Sequence, residues 1–434
     1  MQAHGPDKVA VLRPQPRILA RQEHNISRDN ISPSALKVLY RLCNAGFDAY
    51  LVGGSVRDLL LGREPKDFDV VTNARPEQAR ELFRNSILIG RRFRLVHVRF
   101  GTEIIEVSTF RTAHHIADGE GRVVDGTIIR DNVYGNIDDD VWRRDLSVNA
   151  LFYNIKDFTV IDYVGGLQDI QAGRIRLIGD PQQRYIEDPV RLLRVIRFAT
   201  KLGFRIDPAT EAPIRGYTEL LKKIPPARLF EETLKMFLGG CALQTFELLR
   251  HYDLFTELFP QTEASLTEEE GGFPHMLVVL ALQDTDNRLA EGKPVTPGYL
   301  IAALLWMPMQ ALYLEHVSHG MAEVEAVHFA SDVVISKQIA NTALPRQFTK
   351  MARDIWLMQL RLRRINGKQP QRLLEHPRFR AGYDFLLLRA RAGENVQELA
   401  DWWTRFQQEH PPSAVELQQP KPGSSRGRRR RRRR

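Results

Sequence analysis

The chain has 434 residues, 43% hydrophobic and 26% charged, a balance ordinary for a globular protein and a length too great for one core. It contains no apolar run of about 18 residues and no apolar stretch behind the basic residues of 1–21, so neither a membrane span nor a secretory signal is expected. Cys43 and Cys241 are the only cysteines, which leaves no basis for a disulfide framework or a Cys-ligated zinc site. The net charge of +9 is concentrated at one end: eight arginines stand in the last nine residues, and without them the chain is close to neutral.

Residues 1–32 are basic and weakly patterned and read as an extension with little structure. Apolar residues at helical spacing predict a helix over Ser34–Asn44, and Asp48–Val52 then reads as a strand ending at Gly53-Gly54. Ser55 is a good cap for a helix over Val56–Leu61, which Gly62 ends. A second strand covers Lys66–Val71, a helix opens at Pro76, and strands over Phe93–Phe100 and Glu103–Phe110 flank a Gly101-Thr102 turn. Residues 111–135, rich in Gly, His and charge, read as a mobile loop; its His114-His115 pair lacks a third ligand at useful spacing and is declined as a metal site.

A helix from Asp138 carries Arg143, Arg144, Asp145 and Asn149, and short strands near Val160 and Ile175 complete the sheet-bearing part. Beyond Pro181 the periodicity is almost wholly helical up to residue 408, and from Pro411 a Pro/Gln/Ser/Gly linker leads into the arginine run. The expected organisation is an extension over 1–32, a head over 33–178, a helical neck over 179–240, a helical body over 241–410 and a disordered tail over 411–434.

The chemistry concentrates in LVGGSVRDLLLGREPKDFDV, beginning at Leu51. Gly53 and Gly54 let backbone N–H groups approach a polyphosphate at a helix start. In a strand, Asp67 and Asp69 would share one face while Phe68 points inward. Two carboxylates so close repel each other unless a cation neutralises them, and oxygen ligands beside phosphate suit Mg²⁺ or Mn²⁺. A third acid is needed, and two candidates stay open: Glu106 on a strand and Asp145 in RRDLSVN.

These residues resemble class II nucleotidyltransferases, the family that joins bacterial poly(A) polymerases to CCA-adding enzymes. The resemblance rests on that segment and, in order, on Arg143-Arg144-Asp145 with Asn149, DYVGGLQDI (Asp162–Ile170), IGDPQQRYIEDPVRLLRVIRFATKLGF (Ile178–Phe204) and PPARLFEETLKMF (Pro225–Phe237). It implies an α+β fold: a polymerase-β-type head with a small mixed sheet, followed by an all-helical neck that carries the nucleobase-binding helix (179–240) and a helical body and RNA-binding region (241–410), the nucleotide lying between head and neck. It also implies Asp67, Asp69 and Asp145 as catalytic residues, with Asp67, Asp69 and Glu106 as metal ligands and ATP as substrate. Arg57 and Asp58 match positions that contact the triphosphate or support its loop, and Arg144 and Asn149 match positions beside the nucleotide. Asp188, Arg191 and Arg194, spaced by three along one helix face, match residues that read the base edge.

IGRRFRLVHVRFG (Ile89–Gly101) resembles the stretch marking the poly(A) branch, and LLEHPRFRAGYDFLLLRA (Leu373–Ala390) and DWWTRFQ (Asp401–Gln407) resemble the C-terminal region of gammaproteobacterial members. The implied activity is untemplated AMP addition from ATP to RNA 3′ ends in support of RNA turnover; the alternative is tRNA CCA addition. Arg91, Arg92 and Arg94 are candidates for facing RNA. So are Arg426, Arg428, Arg429, Arg430, Arg431, Arg432, Arg433 and Arg434, because dense positive charge binds polyphosphate by releasing counterions. Expected partners are RNA 3′ ends, ATP and proteins of the RNA-decay machinery, in the cytoplasm. Trp402 and Trp403 are expected to be one surface and one core aromatic.

Overall fold

The computed structural model describes residues 15–90, 94–112, 123–124, 127–128, 134–267 and 276–410. The chain divides into two compact units, Met1–Leu258 and Phe259–Arg434. The candidate residues Arg91 and Arg92, the His114-His115 pair and the arginine run lie outside the described residues.

The first unit is built on strands β1 (Arg17–Leu19), β2 (Ala49–Val52), β3 (Asp69–Thr72), β4 (Ser86–Ile89), β5 (Leu95–Phe100) and β6 (Glu103–Thr109). The short hairpin β7 (Val123–Val124) and β8 (Thr127–Ile128) follows, then β9 (Leu151–Asn154) and β10 (Val160–Asp162). Eight of these form one mixed sheet in the order β1-β10-β9-β2-β3-β6-β5-β4. Every neighbouring pair is antiparallel except β3 and β6, which run parallel with Asp69 opposite Glu106.

Helix α1 (Pro33–Asn44) starts where Ser32 Oγ accepts the Ala35 N–H at 3.0 Å and Pro33 takes the first turn. It buries Val38, Leu39 and Leu42 against one sheet face together with α2 (Gly54–Leu60) and α3 (Pro76–Leu82). On the other face, Phe110, Phe152 and Ile178 meet Val141 of α4 (Ile137–Arg143). Helix α5 (Gly166–Gln171) begins at the DYVGG run, where the Asp162 carboxylate accepts the N–H groups of Val164, Gly165, Gly166 and Leu167 at 2.9–3.1 Å. Much of that motif is therefore capping architecture.

Three expectations change here. The extension over 1–32 is not structureless: Arg17–Leu19 pairs with β10 as the sheet edge, and Ile26 and Ile31 are buried in the core. Strand β3 begins at Asp69 rather than Lys66, so Asp67 sits in a bend before the strand. The strand at Arg174–Ile175 (β11) does not join the main sheet but pairs in parallel with Arg205–Ile206 (β12).

The remaining helices of the first unit are α6 (Pro181–Glu187), α7 (Val190–Leu202), α8 (Pro208–Glu211), a 3-10 segment over Ile214–Lys223, α9 (Pro226–Phe237), α10 (Ala242–His251) and α11 (Leu254–Leu258). The second unit is helical throughout its described residues: α12 (Pro260–Thr267), α13 (Met276–Ala290), α14 (Pro297–Leu304), α15 (Trp306–Ser318), α16 (Glu323–Asn341), α17 (Arg346–Leu362), α18 (Gln369–Leu374), α19 (Phe379–Arg391) and α20 (Gln397–Glu409). No single described helix is long and apolar enough to cross a membrane; α14 and α15, bent by 54°, reach that composition together, and α14 buries six of its eight residues inside the unit.

Candidate active site

Gly53 has φ +77° and ψ −134°, a conformation that a side chain strains, and it ends β2 so that α2 starts at once. A Cβ there would lie 3.8 Å from the Asn149 carbonyl oxygen and 3.9 Å from an Arg144 guanidinium nitrogen, so the loop, the RRD run and the turn after it converge. Arg57, only 2% exposed, donates to Asn149 Oδ1 at 2.5 Å and to Asp58 at 2.9 Å and lies over the Phe198 ring. Here Arg57 and Asn149 join α2 to the 3-10 turn Ser147–Asn149 and to α7, which is the loop-supporting alternative.

That turn is itself held from behind. Asp169, buried, accepts from Ser147 Oγ at 2.6 Å and pairs with Arg176 at 2.7 Å. Gly166 packs so closely that a Cβ would come within 2.3 Å of the Ser147 carbonyl oxygen. The fully buried Asp140 grips both Arg143, at 2.5 Å, and Arg144, at 2.7 Å. Burial alone would raise its pKa, but the two guanidiniums outweigh it and hold the carboxyl below its ordinary range. Arg144 is thereby fixed over the Phe152 ring, and Arg184 donates to the carbonyls of Arg143 and Arg144.

The acids gather where β3 begins: Asp69 is its first residue and lies opposite Glu106, in the middle of β6. Asp67 and Asp69 are exposed while Phe68 between them is 8% exposed, so the inward-pointing aromatic separates two outward acids although Asp67 precedes the strand. The Asp69 carboxyl is open to solvent, but protein crowds it closely enough to strip part of its hydration. That loss of hydration first, then the nearby charges of Glu106 and Asp67, pushes its pKa up to about 6, with Arg144 pulling the other way. Glu106 faces Asp69 in the parallel register and His97 across the β5–β6 pair, its Oε2 lying 3.5 Å from His97 Nε2. Among the described residues no three His, Cys, Asp or Glu side chains are already gathered closely enough to hold an ion.

Asp145 is placed differently. Its main chain lies beside Ile178, whose N–H donates to the Asp145 carbonyl at 2.9 Å. Its Oδ1 accepts the Leu146 N–H at 2.8 Å, and its Oδ2 is ion-paired with Arg194 of α7. Burial opposes ionisation of Asp145, yet the Arg194 guanidinium holds its pKa below the ordinary range. Asp188 caps the break between α6 and α7 rather than lying within a helix, and accepts from Arg228 of α9 at 2.6 Å. Arg191 donates to the Arg184 carbonyl at 2.7 Å and to Glu187 at 2.8 Å. Arg94 is exposed and pairs with Glu77 at 2.6 Å.

Two cations escaped the sequence reading. Arg197 lies 4.3 Å from the Phe198 ring centre, which Arg57 and Arg194 also face, and it pairs with Glu232 at 3.3 Å. Lys201 has its pKa lowered, first by loss of hydration and then by the positive charge of Arg57 and Arg197, with Asp58 opposing. Arg194, Arg197 and Lys201 follow one another at helical i, i+3, i+7 spacing, a signal legible in RVIRFATK. Together with Arg57 they gather positive charge beside the Gly53-Gly54 loop.

The chain is 49% identical over 410 residues to poly(A) polymerase I of Salmonella typhimurium (strain LT2), covering 93% of this chain and 88% of the relative. It belongs to the poly(A) polymerase I family. Residues 49–176 match the family described as poly A polymerase head domain, residues 203–266 the probable RNA and SrmB-binding site of polymerase A, and residues 319–434 the polymerase A arginine-rich C-terminus. A CCA-adding enzyme of Lactobacillus helveticus is 37% identical over only 58% of this chain. Among solved structures, the Bacillus stearothermophilus CCA-adding enzyme in complex with CTP shares the fold with a TM-score of 0.55 at 25% identity, covering 87% of this chain and 83% of that one. The α+β class with a helical majority agrees with the sequence expectation, and the chain is a nucleotidyltransferase of the polyadenylating kind.

Proposed function

We propose that Asp67, Asp69 and Glu106 form the acidic centre at which this polynucleotide adenylyltransferase joins AMP from ATP to the 3′-hydroxyl of RNA, releasing pyrophosphate. The observation that carries the assignment is the parallel register of Asp69 with Glu106 together with the raised Asp69 pKa. Carboxylates that repel one another, all oxygen donors, suit Mg²⁺ or Mn²⁺. Divalent cations held there would ease ionisation of the 3′-hydroxyl and offset charge on the transferred and leaving phosphates.

The chain's own residues do the positioning. The Gly53-Gly54 turn leaves room for phosphate oxygens; Arg57, buried, holds that turn in place, and Arg197 and Lys201 supply the positive charge that receives the β- and γ-phosphates and later the pyrophosphate. Asp140 holds Arg144 beside the acids, so a guanidinium stands ready near the transferred phosphate. Asp145 orients Arg194 of α7, and Asp188, Arg191 and Arg194 then stand as the base-reading set, each oriented by a protein partner. In this reading Glu106 is the third acid and Asp145 an orienting residue.

ATP and RNA 3′ ends are the substrates, proteins of the RNA-decay machinery the further partners, and the cytoplasm the site of action. The deciding experiment offers each NTP singly with an unstructured RNA primer and Mg²⁺. Long products with ATP alone are expected; growth that stops after C, C and A would move the chain to CCA addition. Asp67→Asn and Asp69→Asn should each abolish incorporation while leaving the fold intact.

A further inference from the structure

The second unit carries an exposed basic arc that none of the site residues explains. Between the end of α17 and the start of α19, the sequence RLRRINGKQPQRLLEHPRFR places seven Lys or Arg against one Glu. Three of the cations have carboxylate partners: Arg363 with Glu323 at 3.0 Å, Arg378 with Asp354 at 3.5 Å and Arg380 with Asp384 at 3.0 Å. Arg361, Arg364, Lys368 and Arg372 are exposed, and none of them is paired with a carboxylate among the described residues; Arg361 meets His376 instead, at 3.3 Å. A merely solvated face usually intersperses both signs, whereas here four cations within 12 residues are left without an acid.

Beside that arc runs a column of aromatic rings. Trp402, Phe406 and His410 recur every fourth residue along one side of α20 and its end. Trp402 and Phe406 stack with centres 4.8 Å apart and planes 12° apart, Phe406 and His410 at 4.3 Å and 23°. All three are half-buried, whereas Trp403 is fully buried and donates from Nε1 to the Leu362 carbonyl at 2.9 Å. Trp402 and Phe406 lean on the same small core as Leu362, Ile365, Leu373 and Leu374, so arc and column share one support. The column leads directly into the segment that ends in the arginine run.

We propose that this basic arc and aromatic column form a second contact surface for single-stranded RNA, the cations meeting phosphates and the ring column extended by stacked bases. A flexible strand has both groups to offer, phosphates at regular spacing and flat faces of any sequence, and such binding needs no base-edge readout. The surface would hold nucleotides other than the reacting 3′ end, and it rests on the reading of RNA as substrate.

The test uses the full chain and an unstructured RNA oligonucleotide without ATP or metal, so that it does not depend on the acidic centre. Arg364→Ala/Lys368→Ala/Arg372→Ala should weaken binding by about tenfold or more and flatten the dependence of log K on log salt by about 2, near 0.7 per lost phosphate contact. Phe406→Leu should weaken binding by about tenfold while leaving that slope unchanged. Both variants should keep the parental Tm and, at saturating RNA, the parental kcat. Unchanged affinity and slope in the well-folded triple variant would overturn the proposal, as would loss of binding to anionic vesicles with RNA binding intact. A chain that binds RNA in this way but incorporates no AMP would instead count against the catalytic assignment alone.

Discussion

Asp145 and Arg194 form an ion pair that fastens the strand-bearing part of the first unit to helix α7, at side-chain exposures of 13% and 31%. Removing one partner of such a pair leaves the other poorly solvated, a change that costs about 3–5 kcal/mol at full burial and about half that here, where water reaches the guanidinium. Asp145→Asn is therefore expected to lower Tm and to raise KM for ATP more than it lowers kcat, because Arg194 loses its orientation rather than the reaction losing an acid. Comparison of kcat and KM across the four NTPs checks this, and a pure kcat collapse at unchanged KM would place Asp145 in the chemical step.

The pH behaviour of that pair has a definite sign. The folded-state pKa values of Asp145 and Asp140 lie below the usual 3.8, so each stabilises the fold above the unfolded-state pKa and loses that contribution as pH falls through the folded one. Acid unfolding of wild type should steepen below about pH 4. In Asp140→Asn, which frees both Arg143 and Arg144, that steepening should be weaker, the chain being already less stable at neutral pH.

Asp69 behaves in the opposite sense. Its folded-state pKa of about 6 stands above the ordinary 3.8, so its contribution is fully present below the unfolded value and is lost as pH rises through about 6. Without divalent cation, Asp69→Asn should raise Tm at pH 7.5 and have little effect near pH 4, the gain being reduced by the solvent that reaches the carboxyl. Added Mg²⁺ should raise the Tm of wild type and not of the variant. Differential scanning at the two pH values, with and without Mg²⁺, separates these outcomes, and a variant stabilised equally at both would refute the charge repulsion.

How much of this was legible in the sequence differs between site and fold. The GG…DxD order, RRD and EDPVRLLR located nearly every residue that gathers around the site, because motif spacing survives errors in element boundaries. What spacing could not give was partnership: whether Asp145 faces the acids or Arg194 is decided by the bridge of residues 145–147 with 176–178, a pairing between segments about thirty residues apart. Strand β1 was missed because three residues carry too little alternation to be seen, and their place comes from β10. The break between α19 and α20 leaves no mark on the spacing for the opposite reason: apolar periodicity runs on from 378 to 408, while Gly393, at φ +93°, stops the helix.

Two glycines should respond unequally to alanine. At Gly53 no atom blocks a Cβ, so the cost of Gly53→Ala is backbone strain of about 1–3 kcal/mol, expressed mainly as weaker ATP binding where the turn relaxes. At Gly166 the Cβ would meet a backbone carbonyl oxygen at 2.3 Å, which cannot yield without moving the Ser147–Asn149 turn and, through Asn149, Arg57. Gly166→Ala should cost about 3 kcal/mol or more and reduce folded yield before activity can be measured. Equal Tm losses in the two variants would contradict this order.

In the second unit, Glu394 is the joint of a buried polar network. It pairs with Arg389 at 2.7 Å and accepts from Trp306 Nε1 at 2.7 Å and Gln310 at 3.2 Å. Arg389, 4% exposed, lies over the Trp306 ring and also donates to Gln359 at 3.1 Å. Glu394→Ala strands that guanidinium in the interior, so about 3–5 kcal/mol should be lost, and for a unit of this size each kcal/mol lowers Tm by about 2–4 °C. Replacing the network as a whole, with Arg389→Met and Glu394→Leu together, should recover part of the loss, since an apolar pair of similar volume leaves no uncompensated charge. These side chains all belong to the second unit and the acidic centre to the first, so incorporation per folded molecule well below the melting transition should match wild type. A proportionate fall in kcat at that temperature would mean that the network does more than hold its unit together.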